Sequence, residues 1–217
     1  MLLINSILAA LMIIIGCVVY LQVGGIFGAI LFSFALLTIC SRGYHLYTGR
    51  VGLVSISTGI KIWEKFLYCT VILLLNFVFT YLFGTFIRNA GIGVEVAQQM
   101  CAAKLAKSAL ETFVDGLLCG VIMYVAVQIF LENKSVFGIL IGVPVFILSG
   151  FEHSIADMGY LSIAGYWKQD KVVPFILLVI AGNTLGSIFV ALGESVVYGL
   201  LKTYGQDDAG SEDSDQY

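Results

Sequence analysis

The feature that most narrows what this chain can fold into is a hydrophobic run that breaks around ionisable residues. Gly138 to Tyr166 reads GILIGVPVFILSGFEHSIADMGYLSIAGY, with Gly150-Phe151-Glu152-His153-Ser154 at its centre. Its length suits a membrane span. Ionisable side chains at bilayer depth are costly and mark functional sites. A helix breaks there only where the freed backbone meets protein or a water-filled cavity. The helix start after such a break aims positive N–H ends into that cavity. The pattern is that of a pore or transport site, and an anion is the first expectation.

Composition agrees. The chain has 217 residues, 59% hydrophobic and only 12% charged, with mean hydropathy +0.99. That places it among all-α polytopic membrane proteins, with the lipid bilayer as solvent. At ~20 residues per spanning helix the length fits about six spans. With 24 glycines against 2 prolines, close helix packing is expected. Residues 1–203 are read as one channel domain. Residues 204–217, holding Asp207, Asp208, Glu212, Asp213 and Asp215, are read as an acidic disordered tail. The formal charge of −3 argues against a nucleic-acid partner. Cys17, Cys40, Cys69, Cys101 and Cys119 lie in or beside apolar segments without CxxC spacing, so they read as small buried hydrophobes. No metal, cofactor or nucleotide motif is present, and no catalytic residue is assigned. The first segment begins at Leu2 without a basic n-region or cleavage site, so it is expected to be a retained span.

Six hydrophobic segments emerge: Leu2–Leu21, Gly24–Ile60, Phe66–Ile87, Phe113–Leu131, Ser135–Tyr166 and Val172–Lys202. The second and fifth are too long for one simple span. Each has a polar interruption, Ser41-Arg42-Gly43-Tyr44-His45 in one and Gly150 to Ser154 in the other. Each is followed by a span carrying an intramembrane Asn, Asn76 or Asn183. Three spans per half is an odd number, which makes the second half an inverted copy of the first, with the site where the broken helices meet. Lys61, Lys65, Lys134 and Lys202 against Arg88, Lys168 and Lys171 give a slight bias towards cytoplasmic termini in the cell inner membrane.

His153 is the leading candidate for chemistry, because an imidazole gains or loses a proton near neutrality. Glu152 is expected to accept backbone N–H bonds at the start of the half-helix, with direct substrate contact as the alternative. Thr48 is expected to open the other half-helix, where its hydroxyl caps the helix or donates to an anion. Lys104 and Lys107, at i and i+3, share a helix face and either snorkel or draw anions into a vestibule. Asn76 and Asn183 either glue helices or satisfy the broken backbone. Phe32, Leu36 and Phe146 precede the breaks and, as a set, form apolar constrictions.

Four motifs in order resemble the formate/nitrite transporter family. Gly150-Phe151-Glu152-His153-Ser154-Ile155-Ala156-Asp157-Met158 is close to that family's GFEHSxANM. Leu46-Tyr47-Thr48-Gly49 resembles its LFTG loop, Gly116-Leu117-Leu118-Cys119 its GILCN, and Gly182-Asn183 the GN of its sixth span. The resemblance implies six spans in an aquaporin-like fold, with a homopentamer of one pore per protomer. Substrates would be small monovalent anions or their acids, such as formate, nitrite or hydrosulfide. It places Thr48 and His153 at the central site, Lys104 as vestibule charge, and Glu152 and Asn183 on the substrate pathway. Phe32, Leu36, Leu46, Tyr47 and Phe146 would form the constrictions. The chain departs from the pattern at His45 (usually Glu), Arg50 (usually Asn), Gly120 (usually Asn) and Asp157 (usually Asn). A basic residue after the LYTG motif is more similar to the hydrosulfide channels of the family. Gly120 is expected to border a narrow, apolar route.

Three other readings compete, one of them a purely structural or sensory membrane protein, which lack of flux in liposomes would single out. A neutral-solute channel of the aquaporin type lacks its paired NPA motifs here. An intramembrane enzyme built on Glu152 and His153 lacks the HExxH spacing and a second ligand cluster.

Overall fold

A backbone crossing lipid must satisfy its own polar groups, and helices do so within one segment. The computed structural model describes residues 1–54 and 62–211, and among these every regular element is helical. In chain order they are α1 (Leu2–Val23), α2 (Gly25–Arg42), a 3-10 turn (Val51–Val54), α3 (Ile62–Asn89), α4 (Val94–Ala106), α5 (Ala109–Asn133), α6 (Phe137–Leu148), α7 (Ser154–Ala164) and α8 (Val172–Ser211). Five are long and apolar enough to cross a membrane: α1, α2, α3, α5 and the Val172–Tyr198 part of α8; α6 is a shorter apolar helix.

The fifth segment breaks as the sequence implies, at Ser149 to His153 between α6 and α7. The second differs. Its helix ends at Arg42, and Thr48 lies in a turn before Val51–Val54 instead of opening an α-helix. The rest of that segment, residues 55–60, lies outside the described residues, as does Lys61 after it. A further helix, α4, fills the connection between the halves. Beyond the 203 boundary, α8 continues to Ser211, and 212–217 of the acidic tail lie outside the described residues.

Polarity is distributed as lipid demands. Large apolar side chains such as Phe27, Phe34, Phe86 and Phe189 point outwards, while Ser33, Thr48, Asn76, Glu152, His153, Asp157, Asn183 and Ser187 are buried. Cys17, Cys69, Cys101 and Cys119 are buried and Cys40 is half-buried, all as free thiols.

Packing partners recur between the halves. α1 packs on α2 and α3, as α5 packs on α6 and α8; α7 packs on α3, as the 3-10 turn packs on α8; α2 and α6 pack on each other. The α5–α8 contact is closest at its glycines. A Cβ on Gly120 would overlap the Asn183 carbonyl, and one on Gly186 the Leu117 carbonyl. Gly116 and Gly120 on α5 face Gly182 and Gly186 on α8, the small-xxx-small spacing that lets backbones approach. Gly120 is therefore a helix-packing residue, and the expectation that it borders the route is corrected.

Candidate functional site

The α6–α7 break is built by one glycine and one asparagine. Gly150 takes φ 72°, which reverses the chain after α6, and Phe151 N–H donates to the Phe146 carbonyl at 3.0 Å. Asn183 on α8 serves the exposed backbone that follows. Its Oδ1 accepts from Ser154 N–H at 2.9 Å, and its Nδ2 donates to the carbonyls of Glu152 and Gly116, each at 2.8 Å.

The first half repeats this construction. Gly43 takes φ 68° and Tyr44 N–H donates to the Ile39 carbonyl at 2.9 Å. Asn76 Oδ1 accepts from Tyr47 N–H at 3.0 Å, and its Nδ2 donates to the carbonyls of His45 at 3.0 Å and Ser6 at 3.2 Å. The two constructions are displaced by 107 residues: 39 to 146, 43 to 150, 45 to 152, 47 to 154 and 76 to 183. Of the two roles open to the asparagines, the structure gives them the backbone one. Asn183 is fully buried and lines neither of the two cavities described below.

His153 caps α7. Its Nδ1 accepts from Ala156 N–H at 3.1 Å, so the neutral ring carries its hydrogen on Nε2. Nε2–H donates to Thr48 Oγ1 at 2.9 Å, and the Phe146 ring stacks on the imidazole, centroids 5.6 Å apart. Since Thr48 Oγ1 accepts from His153, its own O–H points to another partner. The Tyr47 hydroxyl donates to Thr184 Oγ1 at 2.7 Å, because Thr184 O–H already donates to the Ile180 carbonyl at 2.6 Å. Tyr47 thus ties the loop to α8 and lines neither cavity below.

Two cavities lie beside the Thr48–His153 pair, and no residue lines both. One, of about 270 Å³, is lined by His153, Phe32, Phe146 and the Lys104 and Lys107 side chains. The other, of about 130 Å³, is lined by Leu36, Leu46, Gly49 next to Thr48, and Arg50. The expected constriction residues therefore divide, Phe32 and Phe146 on one side, Leu36 and Leu46 on the other. Thr48 is 1% and His153 3% exposed, so the pair is sealed between them.

Glu152 corrects one expectation. The cap belongs to His153, and the Glu152 carboxylate instead pairs with both lysines. Lys104 contacts Glu152 and, at 3.0 Å, Asp157 Oδ1. Lys107 contacts Glu152 Oε1 at 2.7 Å, Asp115 Oδ2 at 2.6 Å and the Gly150 carbonyl at 2.8 Å. The shared helix face expected for the lysines is also corrected. α4 ends at Ala106, and Lys107 has extended backbone (ψ 151°), yet both converge on one carboxylate. Sequence reasoning missed Asp115 and the pairing role of Asp157. The available signal was an acidic residue in the first turn after the break. Asp157 Oδ2 is buried without a hydrogen-bond partner. Among the described residues, no group of three or more His, Cys, Asp and Glu side chains is disposed to hold a metal ion.

Comparison with known proteins is consistent with this geometry. A family model described as formate/nitrite transporter matches residues 1–197. The chain is similar to the formate channel FocA of Haemophilus influenzae, 24% identical over 216 residues, covering 82% of this chain and 72% of that protein. Among solved structures it is similar to an FNT family ion channel, with TM-score 0.84 and 19% identity over 90% of this chain and 89% of that one. It is also similar to a pentameric formate channel with formate bound, with TM-score 0.78 and 24% identity over 90% of this chain and 96% of that one.

Proposed function

The chain belongs to the formate/nitrite transporter family, and from that premise we propose that it conducts small monovalent anions of the formate class between its two cavities. The observation that carries this reading is the sealed Thr48–His153 pair, with apolar side chains on both sides of it. A bare anion crossing Phe32 and Phe146, or Leu36 and Leu46, is penalised by several kcal/mol. Donors at the barrier offset part of that penalty. The Thr48 O–H and the His153 Nε2–H are the two neutral donors placed there. The anion takes up a proton drawn from the water of the adjoining cavity and crosses the apolar side chains as its neutral acid. Because Nδ1 holds the α7 cap, any exchange with His153 runs through Nε2.

The assembly is a homopentamer, as in the pentameric relative, and it lies in the cell inner membrane with one path per protomer. The two halves are inverted three-span repeats, a reading supported by the doubled hydrogen-bond set around Asn76 and Asn183, and the termini are cytoplasmic. Nitrite and hydrosulfide share the charge and small size that this barrier requires.

The test is flux in proteoliposomes with formate, nitrite, hydrosulfide, lactate, chloride and sulfate. Formate flux above protein-free liposomes, with sulfate excluded, is expected. Absence of any monovalent anion flux overturns the reading.

A further inference from the structure

The two cavities differ in fixed charge, and the difference falls on positions that the doubled break construction pairs. A displacement of 107 residues, as between 43 and 150 or 76 and 183, pairs His45 with Glu152 and Arg50 with Asp157. Glu152 and Asp157 both line the larger cavity, whereas of the two first-half residues Arg50 lines the smaller one and His45 does not.

Around the larger cavity the lysines are neutralised. Lys104 and Lys107 stand against Glu152, Asp157 and Asp115, two cations with three carboxylates. The lysines are 15% and 21% exposed, and Glu152 and Asp157 are 0% and 1% exposed. This leaves little net positive field for an approaching anion. The smaller cavity has no acidic lining residue. Arg50 lines it, half-buried, and among the described residues its guanidinium makes one long hydrogen bond, Nη2 to the Gly43 carbonyl at 3.4 Å. Among the described residues no carboxylate lies at ion-pair distance from Arg50. A cation at the mouth of a cleft with low-dielectric walls raises the local concentration of anions. A guanidinium also stays charged throughout the working pH range and offers a planar fork of donors that fits a carboxylate.

We infer that Arg50 is the anion-gathering residue of this chain, and that the smaller cavity holds a recruitment site for small monovalent anions opposite the Lys104 side. The inference rests on the channel reading above. The guanidinium collects the anion from water and delivers it to Leu46 and Gly49, beside Thr48. The Lys104 mouth, offset by Asp157 and Glu152, receives anions less readily, so entry is asymmetric.

The experiment measures initial rates of radiolabelled formate entry from each membrane face, in whole cells and in inside-out vesicles, for wild type, Arg50→Gln, Arg50→Lys and Asp157→Asn. From one face Arg50→Gln is expected to raise the apparent KM about tenfold with the maximal rate little changed, and from the other by less than about twofold. Arg50→Lys retains most of the wild-type KM. Asp157→Asn lowers the KM from the opposite face. Added impermeant salt erodes the wild-type advantage of the Arg50 face, since the screening length falls from ~10 Å at 0.1 M to ~3 Å at 1 M. An Arg50→Gln KM unchanged from both faces, or raised equally from both, overturns the inference. If Arg50→Gln fails to assemble, the wild type decides alone: equal salt dependence from the two faces overturns it. Absence of wild-type formate flux above vesicles without the protein overturns the channel reading instead.

Discussion

Replacing His153 by Asn removes one of the ring's two hydrogen bonds and keeps the other. Asn is a good N-cap, so Ala156 N–H retains an acceptor in place of His153 Nδ1. Its shorter side chain does not reach Thr48 Oγ1, and the stacking on Phe146 is lost. The buried neutral hydrogen bond contributes about 1 kcal/mol and the stacked pair about 1 kcal/mol, so His153→Asn is expected to cost about 2 kcal/mol. His153→Ala also removes the cap, a further ~1 kcal/mol. Transport is expected to follow a different order. A hydrogen bond to a charged group is worth about 1.5–3 kcal/mol, so losing the Nε2–H donor slows formate flux roughly 10- to 150-fold in both variants. Flux of a weak-acid anion should rise as pH falls in the wild type, because more of it crosses as neutral acid. An amide cannot titrate, so Asn should flatten this response as much as Ala. The assay is formate flux in liposomes across pH, with thermal unfolding and oligomer integrity measured on the same preparations. A His153→Asn protein with wild-type flux and wild-type pH response would reduce His153 to a helix cap and refute the proton-exchange reading. Thr48→Val serves as the partner control, since it keeps the shape and removes the hydroxyl.

Asn76→Ala and Asn183→Ala should be similarly destabilising, by about 2–4 kcal/mol, because each strips one acceptor and two donor contacts from buried backbone; unequal losses in thermal unfolding would count against the doubled construction. Glu152→Ala leaves Lys104 with Asp157 and Lys107 with Asp115. Breaking a buried pair costs about 3–5 kcal/mol, and the partial exposure of the lysines reduces this to about 2 kcal/mol, read as a lowered unfolding temperature. Sulfate should be excluded at every pH, because a second charge adds to the desolvation penalty; sulfate flux equal to formate flux would contradict an apolar barrier.

Much of this protein was legible along the chain because hydropathy is a local property. A run such as Gly138 to Tyr166 must lie at membrane depth, against lipid or protein, and Glu152-His153 in its middle must break it. Glycine at the break is equally local, since the reversal needs positive φ at Gly150. Short motifs around Thr48, His153 and Asn183 were enough to imply the family. What those residues touch was not local. Glu152 pairs with Lys104, 48 residues away, and His153 bonds Thr48 across 105. The sequence assigned the cap to the carboxylate because a charged side chain favours a helix start. Two lysines converging on Glu152 changed the balance, and the cap went to the imidazole beside it. Gly120 read as bordering a narrow, apolar route until the approach of α8 left no room for a Cβ there. Ion-pair partners and helix separations depend on which elements meet, and that is decided when the helices pack, not by the residues on either side in the chain.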